Sequence, residues 1–341
     1  MQIATILAHL ESIAPLAWQE KYDNAGLLTG NGEWECTGVL VTLDTTEAVV
    51  REAVSRKCNL IVAHHPIIFG GLKKITGKNY VERTVIAAIK NDIAIYAIHT
   101  NLDNVLEGVN GKMAAQLGLT GCAPLLPKEG TLQKLFTFIP DAHLEAVRNA
   151  IFSAGGGQIG QYSECSWTAA GEGTFRGGEG THPFVGQPGL RHREKETRLE
   201  VILPSHLGRR VVAAMTGAHP YEEPAYDLVD LSNTHPGSGA GLIGELPETM
   251  EEKEFLARIA QAFRLQNIRH TPLTGRPVKR CALCGGAGSF LISSALAAKA
   301  DFYITADVKY HEFFDADGRM VIADIGHFES EQFTIDRKSV V

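Results

Sequence analysis

Two segments near opposite ends of this 341-residue chain carry side chains suited to holding metal. Val62-Ala63-His64-His65-Pro66 closes an apolar run, and Asp324-Ile325-Gly326-His327-Phe328-Glu329-Ser330-Glu331 sets His327 and Glu331 four residues apart. Residues at that spacing share one face of a helix, so an imidazole and a carboxylate can address one centre. A third segment, His99-Thr100-Asn101-Leu102-Asp103, also follows an apolar run. Neutral imidazoles mixed with carboxylates suit Zn, Fe, Mn, Co or Ni, and a carboxylate can bridge two ions. Adjacent side chains diverge from the backbone, so His64 and His65 can serve different ions. Asp103 also reads as a turn residue in Asn101-Leu102-Asp103-Asn104, but cationic charge needs carboxylates, which keeps it among the ligands.

Other groups divide between chemistry and structure. His99 either orients a ligand or packs as a hydrogen-bonded core histidine. Lys309 and His311 are candidates for substrate contact or proton transfer, while Tyr310 and Phe313 give their segment a packing role. Gly285-Gly286-Ala287-Gly288-Ser289 follows a strand and opens a helix, so it is either a tight turn or an anion-holding loop; the tight turn is the preferred reading. Cys281 and Cys284 form a lone CxxC and read as buried thiols. Asp23-Asn24-Ala25-Gly26 reads as a turn. His219, Glu222 and Glu223 either bind a ligand or cap the helix before them.

The elements that must position these groups follow from periodicity. Runs at 38–43, 59–63 and 93–98 read as buried strands, with helices at 47–57 and about 81–90 between them. This alternation predicts an α/β sheet with parallel strands, in which functional groups gather beyond the C-terminal strand ends. His64, His65 and the 99–103 segment lie at such ends. Residues 133–139, 197–203 and 226–231 alternate as strands, with helices from 141 and at 206–217 and a glycine-rich, turn-rich stretch at 171–190. That order predicts a ferredoxin-like α+β insert. The α/β pattern then resumes, with strands at 244–246, 279–284, 301–305 and 320–324 and helices at 249–263, 290–300 and 308–316. The expected organisation is an α/β domain over 1–126 and 233–335, interrupted by the insert over 127–232.

A net charge of −7 and a pI near 6.0 argue against a general nucleic-acid-binding surface. No apolar run approaches the length of a membrane span. The N-terminus shows no basic segment ahead of a long apolar core, and the six cysteines are too dispersed for a disulfide framework. The expected location is therefore cytoplasmic, with reduced thiols.

The segments His64-His65-Pro66-Ile67-Ile68-Phe69, His99 to Asp103, Cys284 to Ser289, Thr305-Ala306-Asp307-Val308-Lys309-Tyr310-His311 and Gly326 to Glu331 together resemble the NIF3 family, also called DUF34 or GTP cyclohydrolase I type 2 homologues. The resemblance covers essentially the whole chain. His219-Pro220-Tyr221-Glu222-Glu223-Pro224-Ala225-Tyr226 resembles the signature of a PII/CutA-like insert found in longer members. The resemblance implies a dinuclear metal site with His64, His65, Asp103, His327 and Glu331 as ligands, Glu331 bridging. It also implies a toroidal homohexamer and suggests metal-dependent hydrolysis of a nucleotide such as GTP. No P-loop run is present to support that substrate. Metal trafficking without turnover, or regulation through the insert, are the competing functions. Family members continue past the Glu331 position with a helix, whereas Asp336-Arg337-Lys338-Ser339-Val340-Val341 matches the in-frame translation of a sequencing adapter. Residues 336–341 are therefore expected to be a non-native tail.

Overall fold

The apolar runs ahead of His64 and His99 fold as short strands whose every residue is buried. The computed structural model describes residues 1–335, and the expected non-native tail lies outside the described residues. The chain forms two compact units, Met1–Pro127 with Gly237 onward, and Lys128–Pro236. In the first unit, β1 (Gly26–Thr29), β2 (Val39–Thr42), β3 (Leu60–Ala63) and β4 (Ala94–Ala97) form a sheet of order β1-β4-β3-β2. β2, β3 and β4 run parallel, and β1 pairs antiparallel with β4. Alternate residues of β3 and β4 face opposite layers, as strand geometry requires. Leu60, Val62 and Tyr96 pack on Ile3, Leu7 and Leu10 of α1 (Ile3–Ile13). Ile61 and Ile95 pack on α2 (Glu47–Ser55) and α3 (Tyr80–Lys90). Thr46 and Asn79 cap α2 and α3 by accepting the amides of Val49 and Glu82. The short α4 (Thr100–Asp103), α5 (Val109–Leu117) and β5 (Thr120–Pro127) follow.

The second unit is built from β6 (Leu132–Pro140), α6 (Leu144–Ser153), β7 (Trp167–Arg176), β8 (Arg191–Pro204), α7 (Gly208–Ala218) and β9 (Tyr226–Asp230). Its sheet has the order β7-β8-β6-β9 with every pairing antiparallel, the ferredoxin-like arrangement. Leu135, Ile139, Leu199 and Val201 meet Val147, Ile151, Val211 and Met215 in its core. β7 overlaps the stretch read as glycine-rich turn. It is an edge strand with no buried residue, so it lacks the apolar alternation that would have marked it.

The chain then returns to the first unit as β10 (Gly239–Met250), α8 (Glu252–Phe263), β11 (Arg269–His270), β12 (Val278–Ala287), α9 (Ile292–Ala297), β13 (Phe302–Ala306), β14 (Val321–Asp324) and α10 (His327–Glu331). These strands and β5 form a second sheet of order β11-β14-β13-β12-β10-β5. β12, β13 and β14 are parallel, while β10 pairs antiparallel with both β5 and β12. The expected parallel strands thus fall into two sheets with antiparallel edges. The three-residue strand expected at 244–246 is the middle of the long, bulged β10, and the segment expected as a helix over 308–316 is a 3-10 turn, Tyr310–Ala316.

Candidate metal centre

Four histidines and two carboxylates converge between the C-terminal end of the first sheet and α10 of the second. His64 and His65 follow β3, and their amides are held by the Leu43 carbonyl. His99 follows β4, with its amide donating to Asn101 Oδ1, and Asn101 in turn donates to the Ala14 carbonyl. Asn110 ties the two sheets together at this point: its Nδ2 donates to the Asp103 carbonyl and its Oδ1 accepts the Gly285 amide. β14 delivers His327 and Glu331 through Gly326.

Every imidazole is oriented from behind. His64 Nδ1 lies 2.9 Å from the Ile98 carbonyl, His65 Nδ1 2.9 Å from Asp44 Oδ1, His99 Nδ1 2.7 Å from Asp23 Oδ1, and His327 Nδ1 2.7 Å from Asp307 Oδ2. A carbonyl or ionised carboxylate can only accept, so each Nδ1 carries the proton and each Nε2 is left as the potential ligand atom. Those Nε2 atoms turn toward one another. His327 Nε2 is 3.3 Å from His65 Nε2, and the His64, His65 and His99 rings lie with centroids 5.0–5.4 Å apart. The buried Glu331 carboxylate sits among them, 3.6 Å from His64 Nε2, 3.1 Å from His65 Nε2 and 3.4 Å from His327 Nε2. Asp103 Oδ1 is 3.6 Å from His64 Nε2.

Lone pairs and carboxylates facing one another require a cation. The electrostatics of the site express the same demand. Burial pulls the His65 imidazole down, but Glu331 and Asp44 outweigh it and raise the ring to about 9. Burial pushes the Glu331 carboxyl up, and the surrounding imidazoles more than reverse this, holding it well below the usual carboxylate range. A proton on His65 therefore answers the converging acceptors. The nitrogen and oxygen donors fit a divalent transition ion equally well. They form two overlapping groups, His64 with His65 and His99, and His65 with His327 and Glu331.

The glycine run belongs to this centre. The Gly285 and Gly286 amides are taken by Asn110 and Ser330, so neither is available to an anion. Gly286 has φ +64°, and a Cβ there would lie 2.6 Å from Glu331 Oε1. Only glycine lets β12 pass so close to the carboxylate. Lys309 and His311 are exposed and outside both groups, and His311 packs against Tyr310. Three residues were missed, the first being Asp44, which holds His65. Asp23, read as a turn, holds His99 and also accepts from the Thr100 hydroxyl and amide. Burial pushes its carboxyl up, but those bonds bring it down to about 2. Asp307, inside the Thr305 to His311 motif, holds His327. A carboxylate near a strand end in a histidine-rich chain was the only available signal for any of the three. Cys281 and Cys284 are buried thiols, as read. His219 forms the C-terminal cap position of α7, its Nε2 bonded to the Phe138 carbonyl.

The chain matches the model of the Duf34/NIF3 (NGG1p interacting factor 3) family over residues 1–339. It is 40% identical to a GTP cyclohydrolase 1 type 2 homolog of Halalkalibacterium halodurans over 326 residues, covering 95% of this chain and 87% of that one. A protein of the same description from Bacillus subtilis is 36% identical over 327 residues, again 95% of this chain and 87% of the relative. A solved structure of a Bacillus cereus protein related to NIF3 superposes with a TM-score of 0.86 at 36% identity, covering 100% of this chain and 93% of that chain. The chain, with its convergent imidazoles and carboxylates, belongs to the Duf34/NIF3 family.

Proposed function

We propose that the protein holds two divalent ions through His64, His65, Asp103, His327 and Glu331, with Glu331 reaching both, and acts as a metal-dependent hydrolase on a nucleotide. The observation that carries this is the common orientation of the imidazoles: every Nδ1 is engaged behind the ring, and the Nε2 atoms of His64, His65 and His327 face the Glu331 carboxylate. Bound divalent ions there supply Lewis acidity, which makes water nucleophilic near neutral pH and polarises a substrate oxygen. His99 is the group that carries a proton. Asp23 Oδ1, 2.7 Å from His99 Nδ1, fixes its tautomer and orientation, the arrangement of a carboxylate behind a general base. Asp44 and Asp307 hold the His65 and His327 rings in register.

The substrate class draws on the description of the relatives as GTP cyclohydrolase 1 type 2 homologs. Its support in the chain is an exposed aromatic pair on the rim. The Phe69 ring lies 6.1 Å from His99, and Tyr22 lies 6.3 Å from Phe69. Two open rings beside a metal centre offer a planar base a stacking surface. A homohexamer is part of the same reading, supported by family membership and by the exposed rings of Tyr310, Phe314 and Phe328. Light scattering on purified protein measures it directly. A cytoplasmic location is also proposed; among the described residues, no helix is long and apolar enough to cross a membrane.

The test is multiple-turnover assay of GTP with protein reloaded separately with Zn, Mn, Fe(II), Co or Ni. The proposal predicts catalytic product formation with at least one ion. His99→Ala should remove turnover while keeping the ions. Stoichiometric transfer of metal to an acceptor, with no turnover under any loading, would establish a carrier instead.

A further inference from the structure

The second compact unit contains a cavity of about 690 Å³, within the range of small-molecule sites. It is separate from the metal centre, and every lining residue lies between Phe138 and Ala225. Three of its rings are set at angles to one another. Tyr221 lies 6.1 Å from Phe175 at 54° and 6.3 Å from Phe184 at 45°. All three line the cavity, and Phe184 is 53% exposed. Beneath them lies Glu196, only 9% exposed, whose Oε1 accepts the Tyr221 hydroxyl at 2.7 Å. A side chain at Gly173 would overlap the Glu196 carboxylate, so the edge strand β7 makes room for it.

Charge decides what the cavity accepts. Glu172, Glu196, Glu222 and Glu223 line it, against Arg176 and Arg198. Arg198 is already satisfied: its guanidinium lies 4.6 Å from the centre of the Phe136 ring and pairs with Glu200 at 3.1 Å. Glu172 is likewise paired, with Arg193 at 2.7 Å, and Glu222 accepts the His182 amide; Glu196 and Glu223 still outnumber Arg176, which disfavours a phosphate or other anion. Aromatic faces attract cations through their quadrupoles, and a buried carboxylate adds direct attraction. We propose that this cavity binds an organic ammonium cation, held by the faces of Phe175, Phe184 and Tyr221 with Glu196 as its counter-charge. The site is independent of the metal centre and of any reaction there.

The experiment is calorimetric titration of the full-length protein with choline and with 3,3-dimethylbutan-1-ol, its uncharged isostere. Saturable choline binding is expected, with the alcohol weaker by about tenfold or more, the size of a desolvated cation–π contribution. Phe184→Ala, at an exposed position that leaves the core untouched, should weaken choline by about tenfold. Glu196→Gln should do the same, with thermal unfolding confirming that it folds. His65→Ala should leave choline affinity unchanged. No saturable binding of choline or benzyltrimethylammonium, equal affinity for the alcohol, or unaltered binding in Phe184→Ala would each overturn the proposal. So would binding that is lost in His65→Ala but kept in Phe184→Ala.

Discussion

Gly286→Ala places a methyl group where the Glu331 carboxylate now approaches β12. The new Cβ would stand 2.6 Å from Glu331 Oε1 and 3.3 Å from His327 Nε2, where ordinary contact begins at 3.4 Å. Glu331 must therefore retreat by about 0.8 Å, several times the roughly 0.2 Å tolerance of a metal–ligand distance. The backbone adds its own cost, because φ is +64° and an L side chain in that region loses about 1–2 kcal/mol. For a unit of this size that corresponds to a fall in Tm of roughly 2–8 °C. Gly318→Ala is the matching control, with the same φ of +64° and nothing within 4 Å of the new Cβ. As metal-free protein, followed by differential scanning fluorimetry, Gly318→Ala should lose the backbone contribution alone and Gly286→Ala at least as much. Only Gly286→Ala should also lose the rise in Tm on adding metal, with affinity down about tenfold to a hundredfold. If Gly286→Ala binds metal as tightly as Gly318→Ala, Glu331 is not a ligand in the position assigned to it.

Asp307→Asn keeps a residue that tolerates the φ of +56° but replaces the charged acceptor of His327 Nδ1–H. Metal affinity, measured by competition with a chelator, should fall about tenfold to a hundredfold while the fold persists; unchanged affinity would remove Asp307 from the account. Glu82 accepts the amides of Thr76 and Lys78 and the Thr76 hydroxyl, which hold its carboxyl down at about 2. A depressed folded-state value means the contribution is complete above the ordinary value of 4.5 and is lost as pH falls toward 2. Glu82→Gln should therefore lower Tm at neutral pH, and the gap to wild type should close between pH 4.5 and 2. A gap independent of pH would refute the ionised cap.

How much was legible depended on distance along the chain. His64 and His65, or His327 and Glu331, stand close together at the ends of apolar runs, so strand and helix periodicity alone brings their side chains to one edge. Asp23 reaches His99 across 76 positions, and no local pattern records such a contact. Within Asp23-Asn24-Ala25-Gly26 the turn chemistry is genuine, and it masks the carboxylate's second use. The glycine run illustrates the reverse: a loop that could present amides to an anion spends them on Asn110 and Ser330. β3, β4, β13 and β14 were readable because they are buried on both faces and purely apolar at their centres. β7 was not, because an exposed edge strand with three small residues among its first five carries no hydrophobic period. The division of the strands between two sheets depends on which edges pair antiparallel, a tertiary choice that residue alternation does not encode.

Mass-spectrometric metal content of the purified, reloaded protein beside His65→Ala tests the central claim most directly, because His65 is an assigned ligand and its Nε2 lies 3.1 Å from the Glu331 carboxylate assigned to both ions. The account predicts about two divalent ions per wild-type chain and the loss of at least one in the variant. A wild-type chain that retains no ion after reloading, or a His65→Ala chain that retains the full complement, would contradict it.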